Sequence, residues 1–300
     1  MNSKATLRRL KKESFPYLLI VPAILFIAAF LIYPVLNVFF YSLQSYDVAR
    51  LSQRGFIGLD NFVKIFTNDK IFVKSLGISF RWVLTQVSAQ LLLGMILALL
   101  LDKKFWGRGI YRCAVFCPWA ISGVLTSMIW SLMYNQSIGV INDLLMKVGL
   151  IKSSVAWLSN TKYVFTSVVV AELWRGIPFF AIMLLASLQN IPTELYEACR
   201  VDGGKPWQEL FYIKLPYLRE TIILTTLLRA VWEFNNVDMI LTLTGGGPSN
   251  MTTTLAMYMT NTSVKNNNYG YGSALAVVSF LILLVFAVLY LKLSKFGGED

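Results

Sequence analysis

Glu197-Ala-Cys-Arg-Val-Asp-Gly-Gly-Lys-Pro-Trp-Gln-Glu-Leu-Phe-Tyr-Ile-Lys-Leu-Pro216 is a polar island between two long apolar runs, 164–188 and 218–243. Just upstream, Ile191-Pro192-Thr193 reads as a helix start, with Thr193 placed to cap and Glu194 in a first turn that favours an acid. Helical spacing puts Leu195, Ala198 and Cys199 on one side, with Val201 one turn beyond Ala198. Gly203 and Gly204 end that helix, because a residue without Cβ enters the left-handed region at little cost. Pro206 opens a second short helix at its first position, carrying Trp207, Leu210 and Phe211. Leu215-Pro216 is expected to close it and return the chain to the next apolar run. A helix, a glycine elbow and a helix, held at both ends, form a rigid knob suited to docking rather than to chemistry.

Composition sets the class of protein. Hydrophobic residues make up 56% and charged residues 14%, the latter about half the share of an average soluble domain. Six segments approach or exceed the roughly 20 apolar residues needed to span a bilayer. They fall at 17–43, 75–101, 110–134, 164–188, 218–243 and 272–293. The first is too long for a signal-peptide core and lacks a small-residue cleavage site, so it is expected to remain as an anchor. The expected fold is therefore an all-α polytopic membrane protein with six transmembrane helices. Its parts are a basic N-terminus (1–16), a transmembrane domain (17–293) and a short tail (294–300).

Orientation follows from the basic residues. With the N-terminus inside, fifteen of the 27 Lys and Arg fall on the cytoplasmic side, eight outside and four within or at the spans. The bias is clearest in the short loop 102–109, with Lys103, Lys104 and Arg108. Both termini and the 197–216 island are then cytoplasmic. The net charge of +11 is scattered over juxtamembrane loops without a continuous stripe, which argues against nucleic acid and for membrane lipid head groups.

Much chemistry is absent. There is no histidine, which removes the usual proton shuttle and the commonest metal ligand. Cys113 and Cys117, four apart, make at most half a zinc site and suit a helix–helix contact better. Cys199 lies on the reducing side, so no disulfide framework is expected. Gly203-Gly204-Lys205-Pro206 lacks the first glycine and the hydroxyl of a phosphate loop, so the chain binds no ATP that way. No metal site, no cofactor and no enzymatic activity are expected.

Ionisable residues inside the spans are the remaining signal, since each costs about 2.5–3.5 kcal/mol on insertion scales unless paired or wet. Glu172 and Arg175 are three apart, and Arg229 and Glu233 four apart, so each pair meets on one helix face. Counting about 1.5 Å per residue from the island, the two pairs reach overlapping depths, which predicts a cross-helix charge network. Packing ion pairs and a substrate path remain open as readings. Pro178 after Gly176 is expected to kink the fourth span.

Outside the spans, Phe62 to Phe66 forms an amphipathic piece, and Leu144, Leu145, Val148 and Leu150 mark a short surface helix within 135–162. Near the end of the fifth span, Gly245-Gly246-Gly247-Pro248 cannot continue a helix.

Glu197-Ala198-Cys199, Asp202-Gly203, Phe211, Ile213, Leu215 and Pro216 resemble the EAA loop of the permease subunits of binding-protein-dependent ABC importers. The third position is Cys199 where that family usually has alanine, and Gly204 stands where alanine is also common. Phe234-Asn235-Asn236, Asp238 and the glycine run are similar to the segment after the fifth helix in carbohydrate and glycerol-phosphate permeases. Gly55-Phe56-Ile57-Gly58 through Phe62 resembles their outer loop. The likeness covers about 70–293, with the coupling loop at 189–217.

The resemblance implies a permease subunit in a bacterial cytoplasmic (inner) membrane, translocating a sugar or oligosaccharide. Its partners would be a second homologous permease, two cytoplasmic ATPases that bind ATP and Mg, and an extracytoplasmic substrate-binding protein. Glu197, Ala198, Cys199, Asp202, Gly203, Phe211, Leu215 and Pro216 would couple to an ATPase. Trp174, Arg175, Arg229, Trp232, Glu233, Asn235, Asn236 and Asp238 are the candidate substrate path, with Trp130 and Tyr134 as further aromatics suited to sugar. The alternative is an ion-coupled secondary transporter using Glu172, Glu233 or Asp238; it would need an internal inverted repeat, and none is evident.

Overall fold

The computed structural model of the chain describes residues 19–103, 105–294 and 296. The expected basic N-terminus 1–16, residues 17 and 18 of the first span, Lys104, Lys295 and the tail from 297 onward lie outside them. The described residues group into two compact units.

One unit comprises the chain up to Asn68 together with Asn261–Val278. Helix α1 (Leu19–Ser42) is apolar all round, with a π-helical stretch at Ala28–Ile32. It exposes Leu25, Phe26 and Phe30, as a helix immersed in hydrocarbon does. Strands β1 (Gln44–Ser45) and β2 (Gly55–Phe56) pair antiparallel after it. Helix α2 (Asp60–Asn68) is the amphipathic piece, and it buries Asn61 and Ile65. The Asn61 amide donates to the carbonyls of Ser42 and Gln44 at 2.9 and 3.0 Å, so a buried polar group ties α2 to the end of α1 and β1.

The other unit comprises Asp69–Thr260 together with the chain from Ser279. Its helices are α3 (Lys70–Asp102), α4 (Arg108–Ala120), α5 (Gly123–Met133), α6 (Val140–Lys147), α7 (Val164–Leu188), α8 (Thr193–Val201), α9 (Leu215–Phe234), α10 (Asp238–Leu243), α11 (Leu255–Thr260) and the later part of α12 (Tyr269–Leu293). Asp69 caps α3, its carboxylate accepting from the N–H groups of Ile71 and Phe72 at 2.9 Å. Helices α3 and α7 approach closely at Gly94, where an added Cβ would stand 2.5 Å from the Phe180 Cβ and 3.1 Å from the Ala181 nitrogen. Gly94→Val should therefore destabilise the unit by about 1–3 kcal/mol of overpacking. Thermal unfolding in detergent measures this, and an unchanged midpoint would contradict the close approach.

Six spans are not all recovered by length and composition. Among the described residues, α1, α3, α7 and α12 are long and apolar enough to cross a membrane. The expected third span, 110–134, is two helices, α4 and α5, bent by 97°. Pro118 lacks the N–H that would continue the ladder, and Ile121 is extended at φ −84°, ψ 135°. Ser122 then caps α5 by accepting from the Leu125 N–H at 3.3 Å. The expected fifth span, 218–243, breaks at Asn235–Val237, well before the glycines, leaving α9 of 20 residues and the short α10. Arg219, Glu220, Arg229 and Glu233 interrupt the apolar run of α9, and each lowers its capacity to cross a membrane unaided. Helix α7, by contrast, runs through Pro178 without interruption.

One smaller expectation is also corrected. Cys113 and Cys117 are exposed, not packed between helices of this chain. The loop 135–162 does hold a short surface helix, α6, and Asn142 fixes its return by bonding Val155 and the Trp157 indole at 2.9–3.1 Å.

Candidate functional site

The 197–216 island folds as a helix, a glycine elbow and a second helical turn. Thr193 is the first residue of α8, not its cap; Pro192 holds the cap position and no side chain caps there. Glu194 does lie in the first turn. At the other end Gly203 takes φ +76°. Its N–H donates to the Arg200 carbonyl at 3.1 Å and that of Gly204 to the Cys199 carbonyl at 2.7 Å, the paired bonds of a Schellman stop. Nothing lies within 4 Å of a Cβ added at Gly203, whereas one at Gly204 would run into Cys199. Backbone conformation thus favours glycine at 203, and close packing demands it at 204.

Beyond the elbow the expected closure at Leu215-Pro216 does not occur. A turn at Pro206–Gln208 passes through π-helical Glu209–Lys214 directly into α9, with Pro216 in its first turn. Proline offers no N–H to the carbonyl four residues back, and a local π stretch accommodates that gap without ending the helix. Arg200 pairs with Glu209 at 3.1 Å across the elbow, which braces the two arms. Glu197, Ala198, Asp202, Phe211 and Pro216 are exposed, while Cys199 and Leu215 are half-buried. Val201 and Tyr212 are 87% and 71% exposed, so the knob carries an apolar surface that the described residues leave uncovered.

The second constellation lies among α3, α7 and α9. The Arg175 guanidinium grips Glu172 through Nε and Nη2 at 3.0 and 2.8 Å. Arg229 reaches across from α9 to the same carboxylate at 2.9 Å and to Glu233 at 2.6 Å. The cross-helix network expected from depth is present. Two arginines balance two carboxylates, and Glu172, Arg229 and Glu233 are all buried, so the set is neutral where unpaired charge would be costly.

The second span supplies members that sequence reading missed. Gln90 accepts from Arg229 Nε at 2.7 Å and donates to Glu233 at 3.1 Å. The Trp82 indole donates to Glu233 at 3.0 Å. Gln86 joins Gln90 to the Val169 carbonyl, at 2.9 and 3.1 Å. The available signal was Trp82, Gln86 and Gln90 at four-residue spacing, a polar stripe on an otherwise apolar helix. Gly176 makes room for it: a side chain there would enter the space of Gln90 and Arg229.

One wall of this network opens on a cavity of about 440 Å³ lined by Arg175, Arg229, Trp232, Glu233, Asn235, Asn236 and Asp238, with Trp119 added from α4. Seven of the eight expected path residues thus converge. Trp174 does not; it packs edge-on to Trp130, ring centroids 6.2 Å apart. Trp130 stacks in turn near Tyr134 at 5.3 Å, and the Tyr134 hydroxyl donates to the Ser167 carbonyl at 2.9 Å. These aromatics form a packing cluster apart from the cavity. The break after α9 is what turns Asn235 and Asn236 into the cavity wall, and Asn236 donates to Glu233 at 3.3 Å. Tryptophan faces, amides and a carboxylate are the groups that bind a hydroxyl-rich solute. Among the described residues no group of three or more Cys, Asp and Glu is placed to hold a metal ion.

The chain is similar to known proteins in sequence and in fold. Residues 90–295 match the family described as the binding-protein-dependent transport system inner membrane component. The trehalose/maltose transport system permease protein MalF of Thermococcus litoralis is 33% identical over 99% of each chain. The multiple sugar-binding transport system permease protein MsmF of Streptococcus mutans is 31% identical over 92% of this chain and 93% of its own. In fold, the chain is similar to the bacterial alginate ABC transporter crystallised with an alginate pentasaccharide-bound periplasmic protein. That likeness has a TM-score of 0.83, at 22% identity and 96% coverage of each chain. The chain belongs to the family of inner membrane components of binding-protein-dependent transport systems.

Proposed function

We propose that this chain is one of two permease subunits of an ATP-driven importer that moves a sugar or oligosaccharide across a bacterial cytoplasmic membrane. Six membrane crossings, with α4 and α5 as one broken span and α9 with α10 as another, place both termini and the 197–216 knob in the cytoplasm. There the exposed face around Val201, Phe211 and Tyr212 seats on one of two ATPase subunits, which bind the ATP and Mg. The 1–16, 17–293 and 294–300 division stands within this reading. So does the extracytoplasmic binding protein as the source of cargo, supported by the alginate transporter's periplasmic partner.

The observation that carries the cargo reading is the cavity of about 440 Å³ with Trp119, Trp232, Asn235 and Asn236 on its wall. Its arginines are already neutralised by Glu172 and Glu233, and Asp238 adds a negative charge, so the cavity favours a neutral saccharide over an anionic one. Glu172 and Glu233 are both held by arginine, which disfavours their use as proton carriers in an ion-coupled mechanism. Calorimetry on the cognate binding protein tests the cargo: a neutral oligosaccharide as its tight ligand supports the reading, and a strongly acidic ligand sinks it.

The division of labour has its own test. The purified chain should hydrolyse no ATP, and within the complex Glu197→Lys should lower substrate-stimulated ATPase about tenfold or more while the binding protein still captures cargo. Measurable turnover by the chain alone contradicts this.

A further inference from the structure

A second cavity of about 440 Å³ lies at the knob end of the helices, and the sugar path does not use it. It is lined by Asp102 of α3, Arg108 and Arg112 of α4, Tyr196 and Arg200 of α8, and Glu209 and Lys214 beyond the elbow. Four cations thus face two carboxylates. Both carboxylates are taken: Glu209 by Arg200 at 3.1 Å and Asp102 by Lys214 at 3.9 Å. Arg108 has neither an ion pair nor a hydrogen bond among the described residues. Arg112 spends Nη2 on the Leu101 carbonyl at 3.0 Å, and its Nε is buried with no acceptor among the described residues.

The Tyr196 hydroxyl is likewise buried with no partner among the described residues. Burial, then Asp102 and Glu209, raise its pKa, so it stays protonated and available as a donor. Orphaned buried donors are rare in folded proteins and point to a missing acceptor. Here two of them, with an unpaired guanidinium alongside, line one cavity. What is missing is an anion with several acceptor oxygens.

The surroundings say where that anion comes from. Phe105, Trp106 and Tyr111 flank the cavity in sequence and are exposed, Trp106 at 94%. Exposed aromatic rings beside a span end mark the membrane–water interface. Basic pockets between helices at that level take anionic head groups. The geometry points to a binding site for the phosphate of an anionic phospholipid head group, held by Arg108, Arg112 and the Tyr196 hydroxyl. A lipid seated there bridges the start of α4 to the knob, and its occupancy stiffens the knob against the helices.

The test is native mass spectrometry of the detergent-purified transporter complex with phosphatidylglycerol, phosphatidylcholine or inorganic phosphate. Arg112 also holds the Leu101 carbonyl, so Arg108→Gln and Tyr196→Phe, which break no hydrogen bond among the described residues, carry the comparison. Phosphatidylglycerol should be retained by the parent over phosphatidylcholine, and each variant should lose about tenfold in that retention, the scale of one charge-assisted hydrogen bond. Equal retention by parent and variants overturns the site. Displacement of the lipid by millimolar inorganic phosphate overturns the lipid as its occupant. A complex that transports normally but retains no lipid at Tyr196 refutes this inference while leaving the importer reading intact.

Discussion

Arg229→Met should cost the fold about 3–5 kcal/mol, because it leaves two carboxylates buried against one arginine. Arg229 bonds Glu172 at 2.9 Å, Glu233 at 2.6 Å and Gln90 at 2.7 Å, so its removal takes three partners at once. Glu233→Gln is milder: the amide keeps the shape and still accepts from Trp82, but strands half of the Arg229 charge. In the double variant one charge of each sign is gone and Glu172 retains Arg175. The double loss should therefore fall short of the summed single losses by about 1–3 kcal/mol. Expression, thermal unfolding in detergent and uptake are the readouts. Additive losses would mean that Arg229 and Glu233 do not interact. Wild-type uptake by all three variants would leave the network without a part in transport.

Gly203→Val should nearly abolish transport while the chain still inserts. At φ +76° a β-branched residue is strained by about 1–3 kcal/mol, and nothing within 4 Å of the added Cβ makes the effect one of backbone alone. The elbow relieves the strain by opening the Schellman bonds, which misplaces Val201 and Phe211 relative to each other. Asparagine tolerates the left-handed region, so Gly203→Asn should retain most activity. Cysteine cross-linking between the knob and an ATPase reads docking directly. A valine variant that cross-links and transports normally contradicts the rigid-elbow account, and so does an asparagine variant that fails like valine.

What could be read from the sequence was what is decided locally. Gly203, Glu194 and Pro206 act within one turn of the chain, and each sits where its own chemistry requires. The Glu172, Arg175, Arg229 and Glu233 network was also legible, because helical rise fixes depth and buried charge demands partners. Trp174 lies off the cavity for the converse reason. It adjoins Arg175 in sequence, yet neighbours on a helix point about 100° apart, and its ring goes to Trp130. The break at Asn235–Val237 carries no glycine or proline and was invisible, while the later glycine run drew attention past it. Pro118 announced the bend between α4 and α5, but the apolar run around it reads as one continuous span. The α3 contribution required knowing that α3 packs against α7 and α9, which no local rule supplies.

The most direct measurement of the central claim is sugar uptake by proteoliposomes holding the complete complex. The cognate binding protein and its radiolabelled ligand are supplied outside, and ATP inside. Uptake should require both ATP and the binding protein, should be insensitive to collapse of ion gradients, and should be lost with Glu197→Lys although the binding protein still captures sugar. Ion-gradient-driven uptake by this chain alone, without ATP or binding protein, would contradict it.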